Sequence, residues 1–243
     1  MKSLNKKSFF LFILFSLFTF TMYAQAYIHA GYNAGFPKKL DSLNYIIDRY
    51  NATRTYLDKQ MKHINYLDGF NFTFGGVFDG LFIGMGYTGG TQMRYAEGVD
   101  ITGNLNRRDV KVSTHVYDME FGFAVADTDE GAVFAGSSMS LGKFNVLARG
   151  GLATEVDKLN FEQINPGNST YFTMGFFLRF CIPNPGIYIQ PYYQFAGNIV
   201  VNDMTDVNKF LNKNTWQNDA SPLNIKNNIF GIKAGFSFLF GGD

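Results

Sequence analysis

The sequence predicts an all-β fold: an eight-stranded antiparallel transmembrane β-barrel with one amphipathic helix in the first extracellular loop. Three observations lead there. Eight stretches alternate with a period of two, the pattern of strands rather than helices. The connections between them run long, short, long, short, which is the loop rule of membrane barrels. An apolar N-terminal segment marks the chain for export.

The N-terminus reads MKSLNKKSFFLFILFSLFTFTMYAQA. Lys2, Lys6 and Lys7 form a basic head, Phe9 to Phe20 an apolar stretch, and Ala24-Gln25-Ala26 a small-residue cleavage site. The apolar run is about 12–14 residues, short of the roughly 20 that a spanning helix needs. Residues 1–26 are expected to be a signal peptide, cut after Ala24 or Ala26, leaving 27–243 as the barrel domain. Its three lysines leave with it, so 21 basic residues become 18 against 20 acidic, a net of −2. That balance offers nothing to nucleic acid. Cys181 is the only cysteine, which excludes an intramolecular disulfide and a cysteine-based metal site. Aromatic and charged residues each make up 17% of the chain. That is too aromatic for disorder and too poorly charged for an ordinary soluble surface.

The strands follow in order. Residues 27–35 set Ile28, Ala30, Tyr32 and Ala34 against His29, Gly31 and Asn33. Residues 67–78 carry Phe70, Phe72, Phe74 and Phe78 on one parity, and 81–91 carry Leu81, Ile83, Met85 and Tyr87. Residues 109–125 set Tyr117, Met119, Phe121, Phe123 and Val125 against Asp118, Glu120, Gly122 and Ala124. Residues 132–149 are less regular, and a parity slip near Lys143, where Phe144, Val146 and Ala148 take over, suggests a β-bulge. Residues 170–182, 187–201 and 229–240 close the series. Asp79-Gly80, DTDEG (127–131) and PNPG (183–186) read as short turns. Residues 36–66, 93–108, 150–169 and 202–226 read as long polar loops.

Alternation alone does not say which face meets water, because lipocalin-like barrels and sandwiches alternate too. The polar parity is decisive. It is crowded with glycine, including Gly75, Gly84, Gly122, Gly175 and Gly235, which weakens a solvated strand. Small residues suit the interior of an eight-stranded barrel, and the aromatic parity then faces lipid. Asp118, Glu120, Arg179 and Lys233 lie on the small-residue parity and should pair inside, with Gln190 and Gln194 filling gaps. A packed polar core is preferred over a gated ion path, because eight strands leave little pore.

The last strand carries a family resemblance. Lys233-x-Gly235-x-x-Phe238-x-Phe240 resembles the C-terminal β-signal of bacterial outer-membrane barrels, which the barrel-assembly machinery reads. It departs in having Gly241-Gly242-Asp243 after the final aromatic. The mature chain is similar to small outer-membrane barrels of the OmpA/OmpX-like type. Ala24-Gln25 resembles cleavage sites of Bacteroidota, whose barrels of this size include PorT-like ones. The resemblance implies Sec-type export, residence in the bacterial outer membrane in contact with its lipid, and the barrel-assembly machinery as a partner in biogenesis. It implies no cofactor and no catalytic residue.

Residues 37–64 break the strand pattern. Leu40, Leu43, Ile47, Tyr50, Leu57, Met61 and Ile64 recur at three and four, as in an amphipathic helix with Pro37 near its start. Such a helix would reach some 35–40 Å and cap the barrel rim, or pack on the fourth long loop. Asp41-Ser42-Leu43 resembles an O-glycosylation acceptor of Bacteroidota, and Asn51-Ala52-Thr53 reads as Asn-x-Thr.

Three function classes follow. The leading one is a non-enzymatic barrel with a structural or surface-interaction role through its long loops. The second is an accessory subunit of a secretion or uptake complex, docking an envelope or surface protein through residues 38–64 and the loop around Trp216. The third is a lipid A-modifying enzyme using Ser113 and His115, which share a strand face but lack an orienting acid at suitable spacing. The sequence offers no phosphate loop and no metal cluster.

Overall fold

The computed structural model describes residues 25–128, 130–165, 169–183, 185–197, 204–212 and 226–240. Most of the expected signal peptide, the Gly241–Asp243 tail and the Trp216 loop lie outside them. The elements are β1 (Gln25–Pro37), helix α1 (Lys39–Ala52), β2 (Leu57–Lys59), β3 (Leu67–Phe78), β4 (Leu81–Val99), β5 (Leu105–Thr128) and β6 (Gly131–Leu152). Then come a 3-10 turn (Val156–Lys158), β7 (Glu162–Gln163), β8 (Thr170–Ile182), β9 (Ile187–Ala196), helix α2 (Thr205–Asn212) and β10 (Ile229–Phe240).

Eight of these strands close an antiparallel ring in the order β1-β3-β4-β5-β6-β8-β9-β10, and β10 pairs back to β1. β2 and β7 are short additions to the edges of β4 and β6. Asp79 and Gly80 both take positive φ, 47° and 79°, as the tight turn of the β3–β4 hairpin requires.

The lower part of the ring is apolar outside and small or polar inside. Its outward side chains form continuous rows around the wall. One row is methionine on four neighbouring strands: Met85, Met119, Met139 and Met174, each half-exposed. Flexible thioethers suit contact with disordered acyl chains. From Val125 to His115, β5 spans about 33 Å along the strand. At the usual tilt that is about 25 Å of height, the height of a membrane barrel's apolar band. Inside, space is short. The Tyr27 ring lies across Gly84 and the Tyr192 ring across Gly231, where a Cβ would collide with the phenol.

Above the band the same strands continue, and here the structure departs from the sequence expectation. β4, β5 and β6 run 19, 24 and 22 residues, so 93–108 is a tall hairpin rather than a loop. Its tip is a turn at Asp100–Asn104. The Asp100 carboxylate accepts from the Thr102 backbone N–H at 2.8 Å, the Thr102 hydroxyl at 2.6 Å and the Asn104 N–H at 3.0 Å. These bonds, the Thr102 hydroxyl first, hold its pKa down at about 2.

The parity slip expected near Lys143 is absent. Lys143 pairs in unbroken register with His115, and the register shift in this hairpin lies between Ala124 and Ala126 instead. Phe144, Val146 and Ala148 share the inward parity of Ser138 and Ser140, and all five are buried. What changes is the solvent. Outside a membrane the outward face turns polar and the inward face turns apolar, so the hydrophobic side inverts with no bulge.

This upper sheet, β2-β4-β5-β6-β7, buries a second core. Val110, Val112 and Val116 of β5 join Phe144 and Val146 of β6 beneath α1, which contributes Leu40, Leu43, Ile46, Ile47 and Tyr50. Val207 and Leu211 of α2 complete it. The helix expected over 37–64 is thus half that length, 14 residues or about 21 Å. Pro37 ends β1, and β-branched and amide residues around Thr53 end the helix. The Thr53 hydroxyl donates to the Arg49 carbonyl at 2.9 Å.

Residues 57–64, predicted to be helical, instead return as extended chain along α1. Two asparagines two turns apart grip it. Asn44 donates to the Ile64 carbonyl (3.0 Å) and accepts from its N–H (2.9 Å). Asn51 does the same with Met61 (2.9 and 3.0 Å). Ser42 is fully buried and the Asn51 amide is engaged, so neither glycosylation pattern presents a free acceptor.

Ile47→Ala is expected to cost about 2–5 kcal/mol of cap stability. Hydrogen exchange should speed up over Lys39–Ala52 while the lower halves of β5 and β6 stay protected.

Candidate functional site in the lumen

Period-two alternation aims Asp118 and Glu120 of β5, Arg179 of β8, Gln190 and Gln194 of β9 and Lys233 of β10 into the barrel. The structure brings all six into one buried network. Lys233 Nζ donates to Asp118 Oδ2 at 2.9 Å and to Glu120 Oε1 at 3.2 Å. Arg179 Nη2 donates to Glu120 Oε2, and Arg179 Nε to Gln190 Oε1 at 2.6 Å. Gln190 Nε2 donates to Glu120 Oε1 at 2.9 Å. Two cations and two carboxylates cancel, and Gln190 adds a donor to Glu120 and an acceptor for Arg179, although Arg179 Nη1 is buried with no hydrogen-bond partner.

Parity reasoning missed the neutral partners, because it gives faces and not registers. Ser140 Oγ donates to Asp118 Oδ1 at 2.6 Å, Thr88 Oγ1 donates to Asp118 Oδ2 at 3.1 Å, and Gln194 Nε2 donates to Ser140 at 2.7 Å. Tyr192 donates to Asn33 at 2.9 Å and Tyr188 donates to Asn71. Toward the end of the barrel that holds the β3–β4 turn, the Arg179 guanidinium lies 4.1 Å from the Phe82 ring centroid, and His29 stacks on Tyr188 at 4.6 Å. The space left beside Lys233 and Tyr171 is about 20 Å³, room for a single water. Around this network the lumen is filled by buried side chains.

The residues expected to form the assembly signal sit on the closing strand. Phe238 and Phe240 point outward opposite Ile28 and Ala26 of β1, Gly235 packs backbone to backbone on Gly31, and Lys233 points inward. Ser113 and His115 face outward, above the apolar band. His115 Nδ1 lies 2.7 Å from the Tyr87 hydroxyl, and among the described residues no ion pair joins it to a carboxylate. The described residues also hold no cluster of three or more His, Cys, Asp or Glu able to bind a metal.

A second ion cluster, absent from the sequence reading, locks the third loop to the tall hairpin. Asp109 is fully buried on the outer face, bound by Arg107 Nε at 2.6 Å and Arg149 Nε at 2.8 Å, and Arg149 Nη2 reaches Asp157 at 2.6 Å.

No family model matches the chain, and no curated protein matches it. Among solved structures it is similar to Ail, the attachment invasion locus protein of Yersinia pestis, at 14% identity and a TM-score of 0.42, covering 88% of this chain and 99% of that one. The same protein in complex with the heparin analogue sucrose octasulfate aligns at 12% identity and a TM-score of 0.39. The outer membrane protein OprG of Pseudomonas aeruginosa aligns at 10% and 0.41, covering 90% and 97%. The barrel itself is read from its own strand pairing.

Lys233→Met should leave the buried Asp118 without a counter-charge, Glu120 keeping Arg179, and lower unfolding stability in detergent by about 3–5 kcal/mol. Adding Asp118→Asn should recover part of that loss, a non-additivity that a denaturant double-mutant cycle measures directly.

Proposed function

We propose that this chain is a non-enzymatic, non-conducting barrel of the bacterial outer membrane that displays a rigid surface module. The carrying observation is the pairing of a neutral, filled lumen with a second core above the apolar band. A channel would need open space between Asp118, Glu120, Arg179 and Lys233, and those groups fill the lumen with one another. An enzyme at Ser113 and His115 would need an acid behind the imidazole, and a tyrosine stands there.

The surface module has two contact faces. One is the polar outer side of α1, with Asp41 and Asp48 exposed. The other is the hairpin tip, where Ile101 is fully exposed on a turn tied down by Asp100. Docking of an envelope or surface protein through 38–64 is read onto that polar side, since the apolar side of α1 is covered by its own chain. In biogenesis the closing strand, with Lys233, Gly235, Phe238 and Phe240, is read by the barrel-assembly machinery. Cleavage after Ala24 would leave Gln25, which pairs with Val77, at the head of β1, and cleavage after Ala26 would leave Tyr27 there.

Reconstitution tests this reading. Mature protein is expected to fractionate with outer membranes, to show heat-modifiable gel mobility, and to give no unit conductance steps in planar bilayers. Soluble, non-heat-modifiable protein would overturn the barrel placement, and reproducible channel steps would overturn the closed lumen.

A further inference from the structure

The outward face changes chemistry at one row of the wall. Just below it stand Tyr117 and Leu141, both well exposed, ending the apolar band. The row itself is Gly89 on β4, His115 on β5 and Lys143 on β6, opposite one another in register on adjacent strands. His115 and Lys143 are both exposed. Among the described residues Lys143 makes no ion pair, and the nearest outward carboxylate on β5, Asp109, is held by Arg107 and Arg149. A lysine opposite a histidine gives this cross-strand pair no attraction of its own. The Tyr87 hydroxyl lies 2.7 Å from His115 Nδ1; with the tyrosine as the donor in that bond, the ring proton sits on Nε2, which can then donate to a ligand. The Lys143 ammonium and the His115 ring thus stand side by side, with no ion-pair partner among the described residues, where hydrocarbon gives way to headgroups.

A second feature lies on the same strand. Ala135 and Ser137, outward on β6, are small among large neighbours and floor a groove of about 750 Å³ beside Phe121 and Phe176. From Ser137 to Lys143 is roughly 20 Å along β6. At barrel tilt that is about 15 Å of depth, half of the roughly 30 Å hydrocarbon core.

Building on the membrane placement above, we propose that His115 and Lys143 bind the phosphate of an outer-leaflet lipid, whose acyl chain runs down β6 into the Ala135–Ser137 groove. The phosphate supplies the missing counter-charge through charge-assisted hydrogen bonds. The small residues supply the contact that distinguishes a lipid from free phosphate.

Native mass spectrometry of the folded protein in detergent tests this, with diphosphoryl lipid A, its dephosphorylated form and inorganic phosphate as probes. Wild type should retain diphosphoryl lipid A about tenfold better than the dephosphorylated form, a difference of about 1.4 kcal/mol. His115→Gln/Lys143→Gln should abolish that preference, while Lys62→Gln/Lys158→Gln, at exposed lysines elsewhere, should keep it. Excess inorganic phosphate should not displace the lipid. Equal retention of the two lipids by wild type, an unchanged preference in the double variant, or displacement by free phosphate would each overturn the proposal. Heat-modifiable mobility of the same samples separates the two readings. A heat-modifiable wild type without preference refutes the headgroup site alone, and a non-modifiable wild type refutes the membrane placement with it.

Discussion

Closing a ring with only eight strands leaves an interior just wide enough for side chains, and the rest of this structure follows from that narrowness. Every inward position must be small, or large and matched to a small neighbour. Tyr27 over Gly84 and Tyr192 over Gly231 are the second kind. Every inward charge must be neutralised on the spot, because little water reaches it. Lys233 therefore bridges Asp118 and Glu120, and Arg179 is held between Glu120, Gln190 and the Phe82 ring. The same interactions fill the lumen, which is why the proposed function is sought at the ends of the barrel and on its outer wall.

The chain meets two solvents along single strands. From Ala124 back to the top of β5, and along the matching part of β6, one parity stays inward, yet the apolar side moves from outward at Phe121 and Met139 to inward at Val112 and Val146. Below the inversion the outward face is an exposed apolar band, as a lipid-facing surface would be. Above it, α1 and α2 cover the inward face and the outward face carries ion pairs such as Arg149 with Asp109 and Asp157. The helical cap and the tall hairpin are thus one packed module rather than separate loops. The row containing His115 and Lys143 marks the boundary between the two regimes.

Much of this was legible in the sequence, and what was not has physical reasons. The eight strands, their faces and the inward set of Asp118, Glu120, Arg179, Gln190, Gln194 and Lys233 follow from a period of two, which needs no knowledge of partners. Register does need partners. Hence Ser140 and Thr88 beside Asp118, the methionine row and the Asp109 clamp were hidden, each being assembled from separate strands. The inversion was misread as a bulge because a parity change and a solvent change look alike in one dimension. Residues 57–64 kept a helical spacing of apolar residues because their extended chain packs against a helix. Of the two asparagines that hold that chain, Asn51 read as part of Asn-x-Thr and Asn44 gave no signal, because their partners Met61 and Ile64 lie far along the chain.

The measurement that tests the account most directly is a single-cysteine spin-label scan of β6 from residue 135 to 149, in a Cys181→Ser background reconstituted in bilayers. Odd positions from 135 to 141 are expected to be accessible to lipid-soluble oxygen, and odd positions from 143 upward to a water-soluble nickel reagent. Even positions should be shielded from both throughout. Loss of the two-residue alternation, a switch of parity near 143, or oxygen access continuing to 147 would contradict it.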